Sequence, residues 1–283
     1  MLTLLVISIL FSAVIGSFLT VCIYRIPLGR KKGLDSLEEP EEEVIQSPIT
    51  IYSPARSFCP ECNGVLRWYH NIPVLGFIFL KGKCAHCKKP IPSRYIVVEL
   101  LSILFAVLSL EKFGPTPTAL LAYLICATLI VLSFIDLDYF ILPNVITYPC
   151  VIIGVILSTI NGFYPMFSDP FNQGLVDAFA GIAVGGGTLW LVSSLYELIR
   201  QRQGLGFGDV KLLALVGAFL GWRGAFFTIF FGSILGCVLG VGQLLFQRKG
   251  LAQPIPFGPY LAGGTLLYML QLADPVVKAV INQ

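Results

Sequence analysis

The chain has 283 residues, 56% of them hydrophobic and 12% charged, with a formal net charge of +3. Soluble domains carry about 25% charged residues, so this balance excludes an ordinary soluble protein and indicates an integral membrane protein. The small net charge gives no basis for a nucleic-acid partner, and what matters is where the positive residues lie.

Met1–Tyr24 contains no charge. It lacks the basic start and short apolar core of a cleaved signal peptide, so it reads as a retained transmembrane helix in contact with lipid. Gly16–Pro27 closes this span. Arg25 is placed to reach the headgroups, and Pro27 is expected to stop the helix. Gly29–Ser47 is basic and then acidic, ending in Glu38-Glu-Pro-Glu-Glu-Glu43, and reads as a flexible insert.

Cys59-Pro-Glu-Cys62 and Cys84-Ala-His-Cys87 follow, in the pattern C-x2-C-x21-C-x2-C. Each pair resembles a zinc knuckle, and four thiolates complete a closed tetrahedral site. The spacer is slightly longer than is usual for such patterns. Reducing conditions in the cytosol favour metal over disulfides there. With every ligand supplied by protein no position is left for water, so the expected zinc is structural. His70 and His86 lie nearby but are not needed as ligands. Cys22, Cys126, Cys150 and Cys237 lie in apolar stretches and read as packing residues.

Seven more spans are expected, near Tyr95–Leu110, Thr118–Ile135, Val145–Ile160, Leu175–Tyr196, Val210–Leu220, Ala225–Phe246 and Tyr260–Leu272. Two of them, Val210–Leu220 and Tyr260–Leu272, are short of the roughly 20 residues a span needs. Eight spans put both termini on one side. Arg25–Arg94 holds eleven Lys and Arg residues, and the loops near Arg200–Lys211 and Arg248–Lys249 add five on the same side. Only Lys112, Arg223 and Lys278 fall opposite. The positive-inside rule then makes Arg25–Arg94 cytoplasmic and leaves both termini outside.

Carboxylates near a bilayer are costly and call for a reason. Glu99 would lie about one turn inside the second span, as a functional group or as a partner for Arg94. Asp136 and Asp138 follow the third span. Two residues apart on a helix, they cannot share a face, so only one is expected to meet Asp209. Asp209 sits in Gly204-Leu-Gly-Phe-Gly-Asp-Val-Lys211, before the sixth span. The topology brings Asp136 and Asp209 to the cytoplasmic face. A pair of carboxylates sharing one proton suits hydrolysis: the ionised member takes a proton from water while the protonated one polarises a carbonyl. Gly206 and Gly208 let the backbone bend and a substrate approach.

Asn161–Gly174 reads as an external loop, and Pro254–Tyr260 as a rigid loop or one bordering the active site. Gly181 with Gly185, Gly217 with Gly221, and Gly232, Gly236 and Gly240 repeat every four residues, a spacing that lets helix backbones approach closely. The chain therefore reads as an all-α polytopic membrane protein of about eight transmembrane helices. A small cytoplasmic four-cysteine zinc module lies between the first two. The expected divisions are residues 1–24, 25–94 and 95–283.

At Gly16–Pro27, the four cysteines, Asn71-Ile-Pro73, Ser93-Arg-Tyr95, Val98-Glu-Leu100, Ile135-Asp136, Leu142-Pro143, Gly204–Ala214 and Ile255–Tyr260, the chain resembles the bacterial type IV prepilin peptidases. These are membrane aspartic proteases of the Gly-x-Gly-Asp class. The resemblance implies that Asp136 and Asp209 form the catalytic pair, and that Asp138 does not. It implies cleavage of the basic leaders of prepilins and type II secretion pseudopilins at the cytoplasmic face of the inner membrane. Relatives that keep the cysteine segment also methylate the new N-terminal amine with S-adenosylmethionine, and this chain keeps it. A peptidase without methyl transfer is the alternative, and a zinc-bearing membrane scaffold or transporter is the reading from another class. One departure is Asn144, where many relatives have Asp. No glycine-rich nucleotide fingerprint marks a methyl-donor site.

Overall fold

The computed structural model describes residues 2–34, 57–59, 61–171, 174–201, 206–240, 242 and 256–272. Gly204, Leu205, Pro254, Ile255 and residues 35–47 of the expected acidic insert lie outside these. The described residues are helical apart from turns, loops and two isolated β-bridges, and the chain divides into two units, Met1–Pro115 and Thr116–Gln283.

The first unit holds α1 (Leu2–Leu34), a 3-10 turn at Trp68–Asn71, α2 (Leu75–Phe79) and α3 (Arg94–Phe113). α1 does not stop at Pro27 as expected. The proline lies inside the helix, which runs on to Leu34. Proline removes one backbone donor, and here that loss interrupts the ladder without ending it. α1 packs along α3 because Gly16 has no side chain: a Cβ there would stand 2.9 Å from the Glu99 Cα. Ser102 Oγ, fully buried, donates to the Ser12 carbonyl at 2.8 Å and ties the same two helices. The boundary expected at residues 94 and 95 thus falls inside the first unit.

The second unit holds α4 (Pro117–Tyr139), α5 (Asn144–Phe163), α6 (Leu175–Ile182), α7 (Thr188–Arg200), α8 (Phe207–Leu235) and α9 (Gly258–Met269). A π-helical segment, Ala183–Gly187, joins α6 to α7. Another, Gly236–Gly240, continues α8. The glycine spacings act where close approach demands them. A Cβ on Gly181 would overlap the Gly217 backbone, and one on Gly264 would reach within 2.6 Å of the Gly232 amide and the Thr228 carbonyl. The expected loop after α5 is clasped by Asn161, whose Oδ1 accepts from the Met166 and Phe167 amides at 2.7 and 2.8 Å while its Nδ2 donates to the Phe171 carbonyl.

Among the described residues, five helical stretches are long and apolar enough to cross a membrane: Leu2–Pro27, Pro117–Tyr139, Asn144–Phe163, Leu175–Arg200 and Phe207–Leu239. The difference from eight has three physical sources. α3 has the length but carries Arg94, Glu99, Glu111 and Lys112. α9 has only 12 residues. α8 contains two of the expected spans, and Gly221 at φ 64° and ψ −171° breaks it between them, a conformation only glycine adopts readily. The windows on α4 and α8 are each 72% buried, against 22% for the other three, so these two helices form the interior of the second unit.

Candidate active site and metal centre

α4 and α8 each carry one buried carboxylate. Asp136 lies near the end of α4, 6% exposed, and Asp209 lies in the first turn of α8, 8% exposed. They are close enough for their charges to interact. Asp138 is exposed. The chain leaves α4 through Phe140, in the left-handed region at φ 54°, whose amide donates to the Asp136 carbonyl at 2.9 Å. That sharp turn sends Leu142 inward against Gly208, where a Cβ would come within 2.8 Å of the leucine side chain. The Gly-Asp of the α8 entrance is thereby packed onto the segment that follows Asp136.

The side-chain partner of Asp136 is a backbone group. Gly258, at the start of α9, donates its N–H to Asp136 Oδ2 at 2.9 Å. A Cβ at Gly258 would lie 2.7 Å from that oxygen, so glycine is what admits the carboxylate. The described end of the Pro254–Tyr260 loop thus borders Asp136. Lys211, two residues after Asp209, donates to Asn144 Oδ1 at 2.7 Å, and its ammonium stands 5.4 and 5.6 Å from the rings of Tyr148 and Phe207. Asn144 therefore serves as the acceptor for Lys211.

In the first unit, Cys59, Cys62, Cys84 and Cys87 bring their sulfurs within 4.8 Å of one another. Cys59 and Cys87 are 3.9 Å apart. Four Zn–S bonds of about 2.3 Å in a tetrahedron require sulfurs about 3.8 Å apart, so the cluster fits a metal ion. The two knuckles share one backbone design, offset by 25 residues. Cys59 N–H donates to Gly64 O and Cys84 N–H to Lys89 O, while Asn63 and Lys88 donate back to the cysteine carbonyls. Asn63 and Lys88 both take positive φ, and a β-bridge closes each loop, Phe58 with Val65 and Lys83 with Pro90. Backbone N–H groups of Cys87 and His86 hold the Cys84 thiol down at about 6, while burial and the neighbouring sulfurs push Cys87 up to about 11, so the thiolate is favoured at Cys84 and opposed at Cys87. Lys89 pairs with Glu61 across the two knuckles, an exposed contact worth little by itself. Cys22 and Cys126 are buried, as packing residues should be, Cys150 is half-buried, and Cys237 is exposed, against that expectation.

Glu99 does not pair with Arg94. It is 8% exposed, and its Oε2 accepts the Val74 amide at 2.7 Å. Val74 and His70, which the sequence reading gave no role, both lie at this spot. A backbone donor has no side-chain signature, so the Val74 contact could not be read from spacing.

The family model for the bacterial peptidase A24 N-terminal domain matches residues 10–113, and that for the type IV leader peptidase family matches residues 123–241. The chain is 36% identical over 257 residues to the prepilin leader peptidase/N-methyltransferase of Aeromonas hydrophila, covering 89% of this chain and 86% of that one. The chain belongs to the type IV leader peptidase family. The family member of the same name from Pseudomonas aeruginosa is 36% identical over 261 residues, 90% and 86% of the two chains. That from Burkholderia pseudomallei is 34% identical over 263 residues, 91% and 82%. No solved structure matches. The leader peptidase match takes in both Asp136 and Asp209, and the N-terminal match takes in all four clustered cysteines.

Proposed function

We propose that this family member cleaves the basic leaders of type IV prepilins and type II secretion pseudopilins with Asp136 and Asp209, and then methylates the new N-terminal amine. The observation that carries the reading is the carboxylate pair itself, two buried acids on the two most enclosed helices of the second unit. The names of the relatives support both activities.

The pair shares a proton. Gly258 N–H fixes one oxygen of Asp136 and leaves the other for water. The ionised aspartate takes a proton from that water, whose oxygen attacks the scissile carbonyl carbon. The protonated aspartate donates to the carbonyl oxygen. Collapse of the tetrahedral species breaks the C–N bond, and the leaving amine takes a proton from the pair. Gly206 lies beside Asp209, where a Cβ would stand 3.6 Å from Oδ2, and Gly208 makes room for Leu142.

The four cysteines hold a structural zinc that organises the first unit. Bound to the enzyme, S-adenosylmethionine supplies an electrophilic methyl group. The topology remains the one that the positive charges favour: eight spans in the inner membrane, both termini outside, and the pair and the cysteine module on the cytoplasmic side. A basic leader then stays in the cytosol while the apolar pilin helix lies in lipid, and the scissile bond rests at the interface.

Incubating the purified enzyme with prepilin and methyl-labelled donor tests the whole reading. Shortened, labelled pilin is expected. Shortened pilin without label would remove the methyltransferase half, and uncut pilin would remove the peptidase.

A further inference from the structure

The short helix α2 keeps an apolar face that no described residue covers. Leu75, Ile78 and Phe79 lie three and four residues apart, so they share one side of it. All three are exposed, Phe79 by 74%. The other side is packed inward, and a Cβ on the buried Gly76 would overlap the His70 carbonyl. The 3-10 turn beneath it carries Trp68, 80% exposed. Large apolar side chains grouped on a surface mark a site of contact with protein or membrane.

Two hydrogen bonds fix the depth of this face along α3. At the start of α2 the Val74 N–H donates to Glu99 Oε2 at 2.7 Å. Glu99 lies five residues into α3, about 7.5 Å along its axis. Past the end of α2 the Gly82 carbonyl accepts from the Ile91 N–H at 2.7 Å, three residues before α3 begins. α2 thus runs from the level of Glu99 back toward the start of α3. Val97 and Leu100, on either side of Glu99 in sequence, are exposed as lipid-facing residues are. Charge points the same way. Lys81 and Lys83 directly follow α2 and Arg67 precedes the Trp68 turn, all three exposed. Residues 57–94 hold six Lys and Arg against one acidic residue, Glu61. An exposed tryptophan with apolar neighbours and a lysine rim suits the membrane interface, where the ring sits at headgroup level and lysine reaches the phosphates.

We infer that α2 and the Trp68 turn form an interfacial anchor, which seats the cysteine module in the anionic headgroups on the cytoplasmic side of the membrane. The inference rests on the topology proposed above, in which α3 re-enters the bilayer at Arg94. The Glu99 bond then holds the start of α2 deeper than that entry point, at the edge of the hydrocarbon. Leu75, Ile78 and Phe79 meet acyl chains there, and Lys81 and Lys83, at the outer end, meet phosphates. A second copy of the chain or an apolar pilin helix would match the apolar face but leave the basic rim without a complement. Anionic lipid matches both.

Two measurements on the full-length protein in vesicles test this. p-Benzoylphenylalanine in place of Phe79 should photocrosslink mainly to phospholipid, as should the same group in place of Leu104, an exposed position midway along α3. Lipid at position 104 but none at 79, or a crosslink from 79 to a second copy or to added prepilin, overturns the anchor. Absence of lipid at 104 overturns the topology, and this inference with it. The second measurement leaves the side chains of the module unchanged. With Trp190→Phe and Trp222→Phe, Trp68 is the one tryptophan left. In mixed phosphatidylglycerol and phosphatidylcholine vesicles its emission should be blue-shifted and quenched by lipids brominated near the glycerol end of the acyl chain. Quenching by aqueous acrylamide alone overturns the anchor. Adding Lys81→Gln and Lys83→Gln should move the lipid-to-water balance of Trp68 about fivefold per lysine toward water in the mixed vesicles, and leave it unchanged in phosphatidylcholine alone. The same shift in both, or none in either, overturns the role of the anionic headgroups. Zinc content reports folding of each variant, and if replacement of Phe79 loses the zinc, Trp68 decides.

Discussion

The cysteine cluster and the carboxylate pair sit in different units and are built on opposite plans. Four sulfurs form a closed set, supplied by two copies of one loop and needing only an ion. The two aspartates form an open set, 73 residues apart in sequence and drawn from two separate helices. One oxygen of the pair is tied to a backbone amide, which leaves the others for a water and a substrate. A closed set suits a scaffold and an open one suits a reaction.

Substitutions can break or sharpen the contrast, from the largest expected effect downward. Asp209→Asn removes half of the shared-proton system and should lower prepilin cleavage by about 10²–10⁴-fold, with zinc content unchanged. Gly258→Ala forces a methyl group to within 2.7 Å of Asp136 Oδ2. Displacing that carboxylate should cost about 10²-fold in cleavage, measured on the same substrate. Cys84→Ser should drop bound zinc from about one per chain toward zero by metal analysis, and should reduce methylation more than cleavage. Equal losses of both would mean that the two units do not divide the work. Asn144→Asp would give Lys211 a charged acceptor and should stabilise by about 0.2–1 kcal/mol in thermal unfolding. Asp138→Asn should do least, within about 0.5 kcal/mol in stability and without effect on cleavage, because that side chain is exposed.

How much of this was legible beforehand followed from distance along the chain. The cysteine knuckles are local loops, so spacing alone singled out the four cysteines that cluster. The aspartates were visible as costly residues and topology put both at one face. That Asp136 rather than Asp138 is the buried one depends on how α4 packs in the interior of the second unit. Gly258 and Val74 escaped notice as donors because an N–H leaves no mark in a sequence. Glu99 is buried, and its expected choices did not include the backbone partner it has. Pro27 misled because a proline interrupts a helix more reliably than it ends one. The spans at α3 and α9 depend on four charged residues and on a 12-residue helix, which hydropathy alone weighs poorly.

The central claim is that Asp136 and Asp209 act as one unit. Prepilin cleavage by Asp136→Asn, Asp209→Asn and the double variant, each confirmed to be inserted in the membrane, tests it most directly. Groups that act together are strongly non-additive, so each single change should abolish cleavage about as fully as the pair of changes. Near-normal cleavage by either single variant, or losses that simply multiply in the double variant, would contradict the account.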